Sequence, residues 1–216
     1  MKNFIHTNSC HAQEDSIKDY IKSLSKDSIF YDLGANLGWF SLYAASLGLE
    51  THAFEIDKDN FRGLRENTES FGLSNHYIYN IGIADTNRKV NLRKINCNIG
   101  EHHKTIDIEN FSADNKIVSY NFVEEVEVDS IDNIIKNKKI PYPNAMKVDI
   151  DGSEYAFLLG AKETLKYVNS MVIELFVKSQ YHNNIVKILK ENGFKEKAKL
   201  KIPKESDLFN FIFVKI

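Results

Sequence analysis

Tyr31-Asp32-Leu33-Gly34-Ala35-Asn36-Leu37-Gly38 is the stretch from which the fold can be read. The run Ser28 to Leu33 is short and apolar and predicts a buried strand that ends beside a carboxylate, Asp32. Gly34 and Gly38 mark a turn, after which Trp39, Phe40, Leu42, Tyr43 and Leu47 recur with helical spacing. Glycine lets the backbone bend tightly and lets a ligand approach without meeting a Cβ. A dinucleotide site wants the three-glycine G-x-G-x-x-G spacing, with pyrophosphate on the helix end. Here Asn36 stands where the middle glycine would be and no third glycine follows. A carboxylate at the strand end suits a cationic sulfonium or an ammonium better than a pyrophosphate. The plain alternative is a strand–turn–helix that merely needs glycine.

The same alternation of short strands and longer helices continues outward. Thr51 to Glu55 predicts a second strand, 57–71 a helix closed by Gly72, and His76 to Ile83 a third strand. Ala145 to Asp149 and Met171 to Leu175 are two more, separated by a helical stretch over 153–168, with another helix at 181–192. Strands alternating with helices argue for a parallel sheet covered on both faces. The ending differs. Glu196 to Ile202 and Leu208 to Ile216 are strands joined by a short polar loop containing Pro203, which fits a hairpin and cannot hold a crossover helix. Residues 1–27 read as an N-terminal helical segment. About 86–128 reads as an insertion over the ligand face, with strands at Lys89 to Arg93 and Val123 to Val128. The 216 residues therefore form one domain.

Bulk composition narrows the function classes. Hydrophobic residues are 43% and charged residues 27%, ordinary for a globular chain with a substantial core. With 28 basic and 30 acidic residues, nothing global points to nucleic acid or an anionic membrane. Cys10 and Cys97 make neither a disulfide framework nor a zinc site. The N-terminus lacks the apolar run of a secretory leader, and no stretch reaches the roughly 20 apolar residues of a membrane span. A cytoplasmic protein with a small-molecule partner is expected, and its oligomeric state is not legible.

Three further acidic positions carry chemistry. Glu55, ending the second strand and followed by Ile56, is placed to accept hydrogen bonds from both ribose hydroxyls of a nucleoside. The plain alternative is a cap for the next helix, which Asp57 can supply. Asp85, after Ala84 at the end of the third strand, lies where an adenine amino group would be met. In Lys147-Val148-Asp149-Ile150-Asp151-Gly152-Ser153-Glu154, strand alternation puts Lys147 and Asp149 on one face, with Asp149 at the carboxyl end of the sheet, where ligands bind. A structural ion pair followed by a helix start is the competing view.

These strings, with Phe54-Glu55 and Val172-Ile173-Glu174, resemble the FkbM methyltransferase family over about residues 28–176. Val126-Glu127-Val128-Asp129-Ser130-Ile131-Asp132 is similar to the family's segment ahead of its fourth strand, and Asp151 replaces the family's glutamate before the glycine. The resemblance implies a class I methyltransferase, Rossmann-like α/β fold with a mostly parallel seven-stranded sheet and a C-terminal antiparallel hairpin. It also implies S-adenosylmethionine as cofactor and methylation of a hydroxyl, often on a sugar or polyketide. By match, Gly34, Asn36, Gly38 and Glu55 become cofactor residues and Asp149 lies next to the transferred methyl. Asp32, Ile56, Ala84 and Asp85 complete the expected cofactor set.

Asp149 is the first candidate for orienting the acceptor or taking its proton, with Lys147, Glu174 and His102 behind it. His102, beside Glu101 and His103 in the insertion, reads either as a general base or as a solvated loop residue. A divalent metal is not predicted, although Asp149, Asp151 and Glu174 offer the hard oxygens one would need. The alternatives are an N-methyltransferase or a phosphate-group O-methyltransferase with the same cofactor site. An NAD-binding oxidoreductase is disfavoured by Asn36 and the final hairpin, and a non-catalytic cofactor-binding module stays open.

Overall fold

The computed structural model describes residues 4–6, 15–100, 104–107, 120–202 and 207–216. In chain order its elements are α1 (Asp15–Lys22), β1 (Ile29–Leu33), α2 (Trp39–Ser46), β2 (Glu50–Glu55), α3 (Lys58–Phe71), β3 (His76–Asn80), β4 (Gly82–Ala84), β5 (Arg88–Lys94) and β6 (Lys104–Ile106). There follow β7 (Phe122–Ser130), α4 (Ile131–Lys138), β8 (Ala145–Val148), α5 (Glu154–Leu159), α6 (Thr164–Tyr167), β9 (Ser170–Phe176), α7 (His182–Glu191), β10 (Phe194–Lys201) and β11 (Leu208–Lys215). No described helix is long and apolar enough to cross a membrane.

Seven strands form one sheet in the order β10-β11-β9-β8-β1-β2-β3. The strands β3, β2, β1, β8 and β9 are parallel. The last strand, β11, runs antiparallel to both β9 and β10, so the hairpin read from the sequence closes the sheet. This is the class I methyltransferase arrangement. Alternation along the central strands feeds two cores. Tyr31, Leu33, Met146, Val148, Met171 and Ile173 pack on one face with Phe157 and Leu189. Phe30, Ala145 and Val172 pack on the other with Ile17, Ile21, Phe40 and Ala44. Both faces are therefore buried, as a parallel sheet requires.

Three sequence expectations need correction. The strand expected over His76 to Ile83 breaks at Ile81: β3 stays in the main sheet and β4 joins another. A Cβ on Gly82 would lie 2.4 Å from Ile56 Cδ1 and 2.8 Å from Val128 Cγ1, so this glycine lets the chain cross closely between the sheets. Hydrophobic period cannot register a change of sheet. The helix expected over 153–168 is α5 and α6, separated at Gly160, where a Cβ would lie 2.4 Å from the Ala84 carbonyl oxygen. The carboxylate of Asp132 opens the second piece, accepting the Glu163 and Thr164 N–H groups at 2.8 Å each and the Thr164 hydroxyl at 2.6 Å. The region read as a largely irregular insertion supplies three strands, β5, β6 and β7, to a four-stranded sheet in the order β4-β7-β5-β6, and the short β6 was not expected. Its pairs are antiparallel except β4 with β7.

The turn after β1 is set by backbone crowding. Gly34 (φ 80°), Asn36 (φ 50°) and Gly38 (φ 83°) are all left-handed. A Cβ on Gly34 would sit 1.8 Å from the Asp149 carbonyl oxygen, and one on Gly38 2.5 Å from Leu64 Cδ1. Gly34 is thus required by the protein's own backbone packing, and Gly38 by its left-handed φ, before any ligand is considered. Gly34→Ala should cost at least about 3 kcal/mol, left-handed strain plus a displaced strand end. Urea denaturation of the variant checks this, and a loss below 1 kcal/mol would show that the β1 and β8 ends separate easily.

Candidate active site

Register brings the predicted acidic residues into one row. Leu33 pairs with Phe54 and with Val148, and Val148 with Ile173. The next step along each strand is Gly34, Glu55, Asp149 and Glu174, in the spatial order Glu55-Gly34-Asp149-Glu174 at the carboxyl edge. Backbone hydrogen bonds continue the pattern: Gly34 N–H donates to the Phe54 carbonyl at 3.0 Å, and Asp149 N–H to the Leu33 carbonyl at 3.0 Å.

Glu55 is 5% exposed and held from both sides. Its carboxylate accepts the Asn36 N–H through Oε2 and the Asp57 N–H through Oε1, each at 2.8 Å. An ionised carboxylate has about four lone-pair positions, so two accepting positions remain for a vicinal diol. Burial raises its pKa, opposed first by the Lys104 charge and then by those N–H groups. The Asn36 N–H is committed to Glu55, which removes a donor that a pyrophosphate would use. Asn36 itself is 7% exposed.

Beneath the turn lies a charge pair within the sheet. Asp32 and Lys147 are register partners on adjacent strands. Lys147 Nζ is 3.5 Å from Asp32 Oδ1 and 3.1 Å from Asp149 Oδ2, and 5.5 Å from the centroid of Phe40. The side chains of Asp32 and Lys147 are 1% and 3% exposed, whereas that of Asp149 is 24% exposed. Lys147 is therefore the counter-ion that orients Asp149, and Asp149 is the member of the trio that meets solvent. Glu174 is half-buried in β9, opposite Asn210 of β11.

Asp151 takes a left-handed φ of 51° in the turn after Asp149. It is accessible to solvent yet hemmed in by protein, and desolvation first, then the Asp149 charge, raises its pKa. Among the described residues no group of three or more His, Cys, Asp or Glu is arranged to hold a metal, so Asp149, Asp151 and Glu174 are not gathered as such a set. Ile56 packs in a small core with Ala84, which has no exposed surface. Asp85 is ion-paired to Arg88 at 2.7 Å. His102 lies outside the described residues. A cavity of about 520 Å³ lined by Asp132, Lys136, Lys139, Tyr142 and Glu163 sits at the opposite, amino end of β8, away from the ligand edge.

Two participants escaped the sequence reading. Lys104 of β6 is 5% exposed at its side chain, with Nζ 3.0 Å from Asp57 Oδ2 and 3.9 Å from Glu55 Oε1. Glu154, read only as part of a helix start, is 8% exposed, and its Oε1 accepts the Ile150 N–H at 3.2 Å and the Gly152 N–H at 3.3 Å. Burial raises its pKa to about 7, the N–H groups opposing and the Asp149 charge adding. The signal for Glu154 was its sequence proximity to Asp149; a lysine in a polar insertion gives none.

A class I methyltransferase fold with this edge defines the class of protein. The chain belongs to the Methyltransferase FkbM domain family, which matches residues 32–196. It is 22% identical over 163 residues to the hexuronic acid methyltransferase AglP of Haloferax volcanii, covering 76% of this chain. That match spans 62% of the relative's length. The fold is similar to that of precorrin-6y C5,15-methyltransferase from Geobacter metallireducens, with TM-score 0.57 and 12% identity, covering 99% of this chain and 93% of that one. It is similar too to TrmK of M. capricolum, solved with S-adenosyl-homocysteine, with TM-score 0.55 and 11% identity, covering 93% and 67%.

Glu154 gives a stability prediction with a definite sign. Between its ordinary value of 4.5 and about 7 the folded form keeps a proton that the unfolded chain has released. This group's contribution to stability therefore falls as pH rises through that window. Glu154→Gln keeps an acceptor for both N–H groups and removes the charge. Denaturation at pH 8 should show about 1–3 kcal/mol of added stability, with no gain at pH 4.5. Equal effects at both pH values would remove Glu154 from the titrating set.

Proposed function

We propose that this chain is an S-adenosylmethionine-dependent methyltransferase acting on a hydroxyl of a sugar or glycan precursor. The observation that carries the reading is the edge row, in which a buried, backbone-held Glu55 and a solvent-facing Asp149 flank the left-handed Gly34 turn. Asn36 and Glu55 would hold the cofactor, Glu55 through the ribose hydroxyls, whereas Asp32, expected in the cofactor set, is buried against Lys147 and acts from beneath. When bound, that cofactor supplies an electrophilic methyl group on a sulfonium centre.

The chain's own part is alignment and proton handling. Asp149 accepts a hydrogen bond from the acceptor hydroxyl and takes its proton. Lys147 holds the Asp149 carboxylate in place, and Asp32 meets the same ammonium from the neighbouring strand. Glu174, one strand over, and His102 of the insertion are secondary candidates for acceptor contact. The named activity of the Haloferax relative supports a carbohydrate acceptor. Cys97, exposed and free, suits a reducing compartment, so the proposed site of action is the cytoplasm.

S-adenosylhomocysteine should bind in calorimetry and raise the melting temperature. Glu55→Gln should weaken that binding by about 1–3 kcal/mol, the scale of losing a charged acceptor. Unaltered affinity would refute the ribose assignment. Asp149→Asn should leave cofactor affinity within a few-fold and lower turnover ~100-fold, the scale for a positioned base. Turnover is read by mass spectrometry against panels of sugar, amine and phosphate acceptors. Methylation confined to amines would replace the hydroxyl reading, and equal losses of binding and turnover would move Asp149 to the donor site.

A further inference from the structure

The insertion sheet is fastened to the scaffold by buried lysines. Lys94 of β5 is 3% exposed at its side chain, with Nζ 3.2 Å from Asp57 Oδ2, 3.3 Å from Asp59 Oδ2 and 3.2 Å from Glu124 Oε2. Gly100 N–H donates to Asn60 Oδ1 of α3 at 2.8 Å, and Ile99 lies where a Cβ on Gly63 would reach it at 2.8 Å. These contacts anchor the insertion over the start of α3. Lys104, also buried, extends from the next strand to Asp57 and to Glu55 itself. Asp57 thus has two ammonium groups beside it, and against burial the charge of Lys104, followed by that of Lys94, lowers its pKa. Among the described residues, Asp57 has Lys94 as a second cation within 4 Å, whereas the cation within that distance of Glu55 is Lys104.

We infer that Lys104 is a positioning residue of the cofactor site: it supplies the counter-charge to Glu55 and holds that carboxylate ready to accept the ribose hydroxyls. The inference rests on the cofactor reading above and extends it, because it makes the insertion a contributor to donor binding. Glu55 faces Lys104 from β6, Asp57 from the β2–α3 turn and Asp151 from the turn after β8. Behind Asp57 stand Lys94 and Asp59. The Lys104 charge favours the ionised form of Glu55, while burial and the Asp57 charge oppose it. Without Lys104 the carboxylate takes up a proton at higher pH and one of its oxygens becomes a donor.

The test is the pH dependence of S-adenosylhomocysteine affinity between pH 5 and 9. In the parent, affinity falls as pH drops through the Glu55 titration. In Lys104→Met the midpoint of that fall should move up by about one to two pH units, the usual effect of losing a close opposite charge. Lys104→Arg should restore the parent midpoint. Lys104→Gln, which retains a donor for Asp57, should match Lys104→Met and serves if that variant does not fold. At the pH where the two curves differ most, Lys104→Met should cost about tenfold in affinity beside Glu55 and under about twofold in a Glu55→Gln background, the coupling expected of two contacting groups. Coincident midpoints, or equal losses in both backgrounds, overturn the role of Lys104 while leaving the cofactor reading intact. A parent that binds no S-adenosylhomocysteine at any pH overturns both.

Discussion

Lys147 places a charged ammonium on a central strand with 2% of the residue exposed, and the site is arranged around that fact. Burying such a charge is costly unless it is paired, and removing one member of a buried pair typically costs about 3–5 kcal/mol. Asp32 meets Lys147 from the neighbouring strand, and Asp149 meets it from two residues along its own strand. The first contact satisfies the interior and the second reaches the edge. A hydrophobic residue at position 147 would strand the buried Asp32 carboxylate and remove the ammonium that meets Asp149. The sheet therefore carries a polar element whose purpose is legible only at its carboxyl end.

This explains what could and could not be read from the chain. The strand periods, Gly72 as the end of α3, and the closing hairpin are local signals, and they survive in the structure. The row of Glu55, Gly34, Asp149 and Glu174 was also accessible, because parallel strands ending in acidic residues must place them on one edge. What escaped was set by contacts distant in sequence. Gly82 and Gly160 break a strand and a helix because of Ile56, Val128 and Ala84, none of them a sequence neighbour. Lys104 meets Glu55 only after the insertion has folded back on α3. Gly34 was read as room for a ligand, whereas the structure shows that the Asp149 backbone already occupies that room.

The same contrast separates the two halves of the proposed chemistry. Glu55 and Asp149 sit on strands with only β1 between them, and strands are spaced by about 4.8 Å, so their Cα atoms are held roughly 10 Å apart by hydrogen-bonded backbone. That separation accommodates the ribose end of a nucleoside and its 5′ substituent, and no side-chain substitution on the strands would alter it much. Acceptor choice has no such fixed frame. In the proposed reading it falls to turns and to the insertion, which meets the scaffold through ion pairs, hydrogen bonds and a small apolar core. Such joints tolerate change in length and sequence far better than a parallel strand does. A family built on this sheet can thus keep one donor geometry while its acceptors diverge.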